Sequence, residues 1–332
     1  MIWFLEGQAS QRDIIMGARD ALVVGTKIFA SHSHDRPEIT HLADMSFVEP
    51  QQLSERPQWA IATALASGVK VVVAGRFGGL YEACRADFEQ AGLTLVTGAT
   101  STRAFELLDD KALFTAEAER VNLACVPAIT VTNAEELALA YQTLSGQGEV
   151  CIKPVVGIYG QGFWRFKEDI DPFRCFANPD AREVSFDAYL HFYKMKAERP
   201  AMLVMPYLAG SECSVDMVCE AGRVIEFVGR RKSGGHQTFE RDTSAVHLAL
   251  RAAEHFGCDG IVNVQTRDDC AGVPHLLEIN ARYSGGIGYT RATGINLAGT
   301  FAARRLGMAE PGNDWIDGVR VKAITVAVAS QA

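Results

Sequence analysis

The run Val69-Lys70-Val71-Val72-Val73 constrains the fold more than any other feature of this sequence. It is short, β-branched and almost unbroken in its apolar character, the pattern of a strand buried on both faces of a parallel sheet. Parallel neighbours need crossover connections, and the surrounding residues supply them. Residues 1–5 read as a first strand. A helical pattern through Ile14, Ile15, Ala18 and Leu22 follows, with Ser10 placed as its N-cap. Short strands are expected at 27–30, 45–48 and 93–96, and helices at 57–67, with Pro57 in its first turn, and at 79–91. This βαβ rhythm predicts a small doubly wound α/β domain over residues 1–102. No G-x-G-x-x-G follows the first strand, so a Rossmann dinucleotide site has no support.

The rhythm then changes. A helix is expected through 102–108, with Asp109, Asp110 and Lys111 near its end, and a second at about 112–122. A strand at 149–153 runs into the glycine-rich loop Gly157-Ile158-Tyr159-Gly160-Gln161-Gly162, and a second strand, 163–166, leaves it. Two strands around such a loop make an antiparallel flap. Residues 168–200 are polar and aromatic, carry Pro172, Pro179 and Pro200, and read as an insertion with one helix at 185–196. Strands recur at 201–207, 212–219, 223–229, 259–267 and 274–280, with a helix at 243–256 and a last strand at 318–328. The expected divisions are 1–102, 103–205 and 206–332.

Lys and Arg number 32 against 40 Asp and Glu, a net charge of −8. That balance argues against bulk contact with nucleic acid or an anionic membrane. No run approaches the ~18 apolar residues that a spanning helix needs. The N-terminus lacks the basic region and small-residue cleavage site of a signal peptide. The eight cysteines form no C-x-x-C pair and read as reduced, mostly buried thiols, which makes the cytoplasm the expected address.

The chemistry concentrates in Leu276-Leu277-Glu278-Ile279-Asn280-Ala281-Arg282. Glu278, Asn280 and Arg282 alternate, so a strand sets all three on one face. An edge strand with a solvated polar face would read the same way. A second alternating segment, Gly260–Thr266, carries Asn263 and Gln265 on one face. A hairpin turn at Ala271-Gly272 would set Gln265 opposite Glu278 and Asn263 opposite Asn280. The resulting oxygens suit Mg²⁺, although one carboxylate with two amides is a weak cage until nucleotide phosphates complete it. Upstream, Lys153 ends a strand before the glycine loop, whose N–H groups can approach phosphate oxygens. The loop does not match the P-loop pattern, and a plain hairpin turn would also explain it.

In their order and spacing these segments resemble the ATP-grasp superfamily, closest to its carbamoyl-phosphate-synthetase-like and amino-acid-ligase-like members, over about residues 103–305. The resemblance implies an α/β pre-ATP-grasp domain followed by an α+β ATP-grasp fold with mixed and antiparallel sheets. It implies that Lys111 and Lys153 contact phosphates and that Gly157, Gly160 and Gly162 form the flap over them. Within Leu203–Glu212 it places the Met205 carbonyl and Leu208 N–H at the adenine edge and Glu212 at the ribose hydroxyls. It makes Gln265, Glu278 and Asn280 the ligands of Mg²⁺, with Mn²⁺ as an alternative. Arg282 would face the transferred phosphoryl group, with Lys153 as the second catalytic cation. Two departures stand out: Met205-Pro206 replaces a glutamate pair common in relatives, and Gln265 stands where Asp is frequent.

For the acceptor side, Arg230 and Arg231 with Lys232 form a cationic cluster that would hold a carboxylate or acyl phosphate, or else a solvated hairpin. The loop Tyr283-Ser284-Gly285-Gly286-Ile287-Gly288 offers backbone N–H groups to a carboxylate or oxyanion, and Arg291 is a further candidate. His32, His34 and His41 lack metal spacing and read as surface residues. The expected function is a Mg-ATP-dependent ligase that joins a small-molecule carboxylate to an amine (or thiol) through an acyl phosphate, releasing ADP and phosphate. A homodimer is compatible with it. The alternative is a non-catalytic nucleotide-binding or regulatory protein that keeps the fold.

Overall fold

Five short parallel strands form the first sheet, in the spatial order Met45–Val48, Ile28–His32, Ile2–Phe4, Val71–Val73, Thr94–Val96. The central strand Ile2–Phe4 is buried along its length, as is Val71–Val73, which is why the sequence shows no polar alternation there. The order reverses between Ile2–Phe4 and Val71–Val73, the doubly wound arrangement. The structure is a computed structural model that describes residues 1–157, 160–196, 198 and 200–324.

The helix Arg56–Ser67 starts with Pro57 in its first turn and stops at Gly68, whose φ of 69° supplies the left-handed cap. Ser10 precedes the helix Gln11–Ala21 but is itself in the right-handed helical region and gives no side-chain cap. The single helix expected at 79–91 is two pieces, Gly78–Glu82 and Arg85–Gln90. At the break, the buried Glu82 carboxylate is pinned by Arg85 at 2.7 and 2.8 Å and by the Thr97 hydroxyl at 2.6 Å. The bond from Thr97, beyond the segment, ties Glu82 in a way the local periodicity does not show.

The chain separates into two compact units. One comprises Met1–Phe105, Ser211–Thr266 and Glu278–Ala332; the other comprises Glu106–Gly210 and Arg267–Leu277. A second sheet runs Pro274–Asn280, Cys258–Asp268, Glu212–Glu220, Arg223–Ser233, His236–Glu240, Arg320–Val321, and Gly98–Ala99 adds antiparallel to Cys258–Asp268. The expected tail strand is only Arg320–Val321 among the described residues, and 325–328 lie outside them. Ile14, Ile15 and Ala18 of Gln11–Ala21 share one core with Leu297, Ala298 and Phe301 of the helix Leu297–Arg305. The Asn296 side chain seals that junction with a 2.8 Å bond to the Gly17 carbonyl, 279 residues away in sequence.

In the other unit the sheet order is Glu183–Val184, Trp164–Phe166, Val150–Pro154, Met202–Pro206, Ile129–Val131. Val150–Pro154 and Trp164–Phe166 are antiparallel around the glycine loop. The helices Ala134–Ser145 and Phe186–Met195 cover this sheet, with Tyr141 stacked on Phe186 at 3.7 Å.

Candidate active site

In the Glu106–Gly210 unit, helix capping positions the first lysine. The Asp110 carboxylate accepts from the N–H groups of Ala112 at 2.8 Å and Leu113 at 3.0 Å, and so fixes the start of the helix Lys111–Arg120. Lys111, its first residue, turns its ammonium onto the Gly157 carbonyl at 2.9 Å. The first lysine therefore touches the glycine loop. Lys153 lies half-buried on Val150–Pro154, opposite Leu203. Its neighbour Cys151 is an inert thiol: burial pushes it up to about 12, against the opposing pull of Lys153, Arg267 and Arg165.

Gly160 and Gly162 adopt φ of 63° and 73°. A Cβ on Gly162 would also fall 2.8 Å from the Pro154 ring, so the loop needs glycine there for two reasons. Ile158 and Tyr159 lie outside the described residues.

Met205 is buried and Leu208 half-buried against an apolar cluster with Val126, Val155 and Leu203. Tyr207 beside them is clamped between the guanidinium groups of Arg165 and Arg267, at 4.6 and 5.1 Å from its ring centre. The Arg267 guanidinium also donates to the Tyr207 hydroxyl at 3.1 Å. This wall suits a flat apolar ring.

In the larger unit, Glu278, Asn280 and Arg282 are all half-buried while Ile279 is buried, the alternation expected of the strand. They form a ladder. Arg282 donates to the Asn280 side-chain oxygen at 3.2 Å, and Asn280 donates to Glu278 at 3.1 Å. Gln265 lies on the neighbouring strand and donates to the Asn263 oxygen at 3.4 Å. Among the described residues, no three His, Cys, Asp or Glu side chains gather as a metal centre. The donor set offered is one carboxylate and two amide oxygens, which fits a hard cation that takes its remaining ligands from phosphates and water.

Glu212 begins the strand Glu212–Glu220, and Lys232 sits 3.3 Å from its carboxylate. The acceptor candidates divide. Arg230 is buried, 2.6 Å from Asp216 and 2.9 Å from the Ser284 hydroxyl. Arg231 points the other way, to Glu240 at 3.0 Å. Arg291 pairs with Asp20. Gly285 is exposed, and the Gly286 N–H donates to Ser284 at 3.1 Å. Asp216 carries no periodic signal, because the strand around it is buried on both faces. His32, expected at the surface, is instead buried beside Glu6, at the carboxyl end of Ile28–His32.

Residues 198–327 match a family model described as "ATP-grasp in the biosynthetic pathway with Ter operon". A comparison with curated protein sequences found no match. Solved structures are similar over nearly the whole chain. An N5-carboxyaminoimidazole ribonucleotide synthetase in complex with ADP superposes with a TM-score of 0.67 at 15% identity, covering 95% of this chain and 78% of that one. Biotin carboxylase from Campylobacter jejuni gives 0.67 at 17% identity, covering 94% and 72%. L-amino acid ligase from Bacillus licheniformis gives 0.64 at 14% identity, covering 93% and 74%.

Proposed function

We propose that this chain, whose fold is that of the ATP-grasp superfamily, is a Mg-ATP-dependent ligase that joins a carboxylate to an amine or thiol and releases ADP and phosphate. The observation that carries the reading is the ladder Arg282–Asn280–Glu278, a cation, an amide and a carboxylate hydrogen-bonded along one strand face. Bound Mg²⁺ would supply charge neutralisation to the phosphates, and Glu278, Asn280 and Gln265 are the residues that would hold it. Lys111 and Lys153 neutralise phosphate charge, and the glycine loop lends N–H groups to the same oxygens. Met205 and Leu208 present backbone groups to adenine, and Glu212 takes the ribose hydroxyls.

The chemistry asks for positioning more than covalent help. A carboxylate oxygen attacks the terminal phosphorus of ATP, the bond to the bridging oxygen breaks, and ADP leaves. The acyl phosphate then accepts the nucleophile, and phosphate leaves. Arg282 balances charge on the phosphoryl group in transfer. The two lysines, one arginine and glycine N–H groups match that demand.

ADP release measured over a matrix of carboxylates and amines, with Mg²⁺ and ATP, tests this. One carboxylate should raise ADP release well above the carboxylate-free background. Tight ATP binding with no ADP formed under any pair would return the chain to the non-catalytic nucleotide-binding reading.

A further inference from the structure

Six side chains and backbone groups form one continuous hydrogen-bonded line in the larger unit. Gln265 donates to Asn263 at 3.4 Å, and Asn263 donates to one oxygen of Asp216 at 2.9 Å. The other Asp216 oxygen takes the Arg230 Nε–H at 2.6 Å. Arg230 Nη2 reaches the Ser284 hydroxyl at 2.9 Å, and that same oxygen accepts the Gly286 N–H at 3.1 Å. Arg230 Nη1 is held by Gln237 at 2.6 Å, which fixes the plane of the fork. Asp216 and Asn263 are 0% exposed, Arg230 5% and Ser284 8%.

Gly286 is packed on the face of that fork. A Cβ there would lie 2.4 Å from Nη1 and 2.7 Å from the central guanidinium carbon. The glycine loop after Arg282 is therefore shaped by a buried guanidinium through one hydroxyl and one close approach. A buried pair of charges is a costly way to fill space, since well-packed apolar side chains do so as well or better. What a planar, five-donor fork adds is direction.

We propose that Arg230, aimed by Asp216 and acting through Ser284, is a positioning residue that holds the Ser284–Gly286 loop in the conformation that receives the substrate carboxylate. It does not itself bind that carboxylate. The assignment rests on the ligase reading above for the loop's role, while the loop's dependence on Arg230 and Ser284 stands on the geometry alone.

Ser284→Ala breaks the junction without stranding a buried charge. Arg230→Lys keeps the charge opposite Asp216 but loses the fork, and Ser284→Thr restores the hydroxyl. Two readouts on the full chain separate the claims. Amide hydrogen exchange needs no substrate: exchange at 285–288 should quicken at least tenfold in Ser284→Ala and Arg230→Lys, return in Ser284→Thr, and stay unchanged in the strands Glu212–Glu220 and Arg223–Ser233. ADP release on the carboxylate–amine panel should show the carboxylate KM raised at least tenfold in Ser284→Ala, with the ATP KM within twofold of wild type. Unchanged loop exchange in both variants overturns the positioning role. Quickened exchange with an unchanged carboxylate KM overturns the loop as carboxylate site. A wild-type chain that forms no ADP defeats the ligase reading and with it the carboxylate role, and the exchange result still decides whether Arg230 sets the loop.

Discussion

Asp216 and Arg230 meet as a diagonal pair across two antiparallel strands: Asp216 stands opposite Val228, and Arg230 opposite Ser214, yet their side chains close to 2.6 Å. Arg231, one residue on, must face the other way, and it does, toward Glu240. Two adjacent arginines that look alike in the sequence thus sit in different dielectric surroundings. Arg230→Ala should cost about 3–5 kcal/mol of stability, because it strands a buried carboxylate. Arg231→Ala should cost about 1 kcal/mol or less. Chemical denaturation of the two variants checks this, and equal losses would contradict the burial argument.

Glu278 contributes the only carboxylate in the proposed metal set. Glu278→Gln is nearly isosteric and keeps an acceptor for the Asn280 amide, so the fold should survive. Metal-dependent ADP formation should fall by at least ~10²-fold. Full activity in this variant would leave the ligase reading in place and remove Glu278 from its mechanism.

Lys111 is both a charge and a tether, since its ammonium already holds the Gly157 carbonyl. Lys111→Ala and Lys153→Ala should each weaken ATP binding by at least about tenfold, the loss expected of one charged hydrogen bond. Isothermal titration with ATP on folded protein measures it, and wild-type affinity in either variant would remove that lysine from the phosphate contacts.

Gly98 has a φ of 110°, and a Cβ on it would lie 1.9 Å from the Ala281 carbonyl oxygen. Neither the dihedral nor the backbone neighbour can yield cheaply. Gly98→Ala should therefore lose at least about 2 kcal/mol. A melting temperature equal to wild type would mean that the junction of Gly98 with Ala281 relaxes.

His32 gives a pH signature. Burial holds its imidazole below the usual value near 6.5, and the charges of Arg36, His34 and Arg76 add to this while Glu6 opposes it. Between the two values the unfolded chain binds more protons than the folded one, so stability falls as pH drops below about 6.5. His32→Asn should flatten the slope of unfolding free energy between about pH 7 and pH 5. An unchanged slope would show that another group carries it.

The strand Pro274–Asn280 was legible because its two faces differ: one packs and one carries Glu278 and Asn280, with Arg282 just beyond it, so the period of two survives in the sequence. The strands around the glycine loop were legible for a similar reason, since they depend on residues adjacent in sequence; the Asp110 cap was missed, because Lys111 read as the end of the preceding helix and not as the start of its own. Asp216 was not legible either. Its strand is buried on both sides, so a lone aspartate among Val215, Met217 and Val218 carries no periodic signal. His32 and the break after Glu82 were hidden because their partners, Glu6 and Thr97, lie far along the chain. Local pattern reports local causes.

The sharing of one core by the helices Gln11–Ala21 and Leu297–Arg305 has a consequence for how the protein is made. At ~5–20 residues per second, a ribosome delivers the second helix on the order of 15–60 s after the first. Through that interval the apolar stripe of Ile14, Ile15 and Ala18 has the parallel sheet to pack on but lacks the cover that Leu297, Ala298 and Phe301 give it. The nascent N-terminal domain thus carries an incompletely covered apolar face until the helix Leu297–Arg305 arrives.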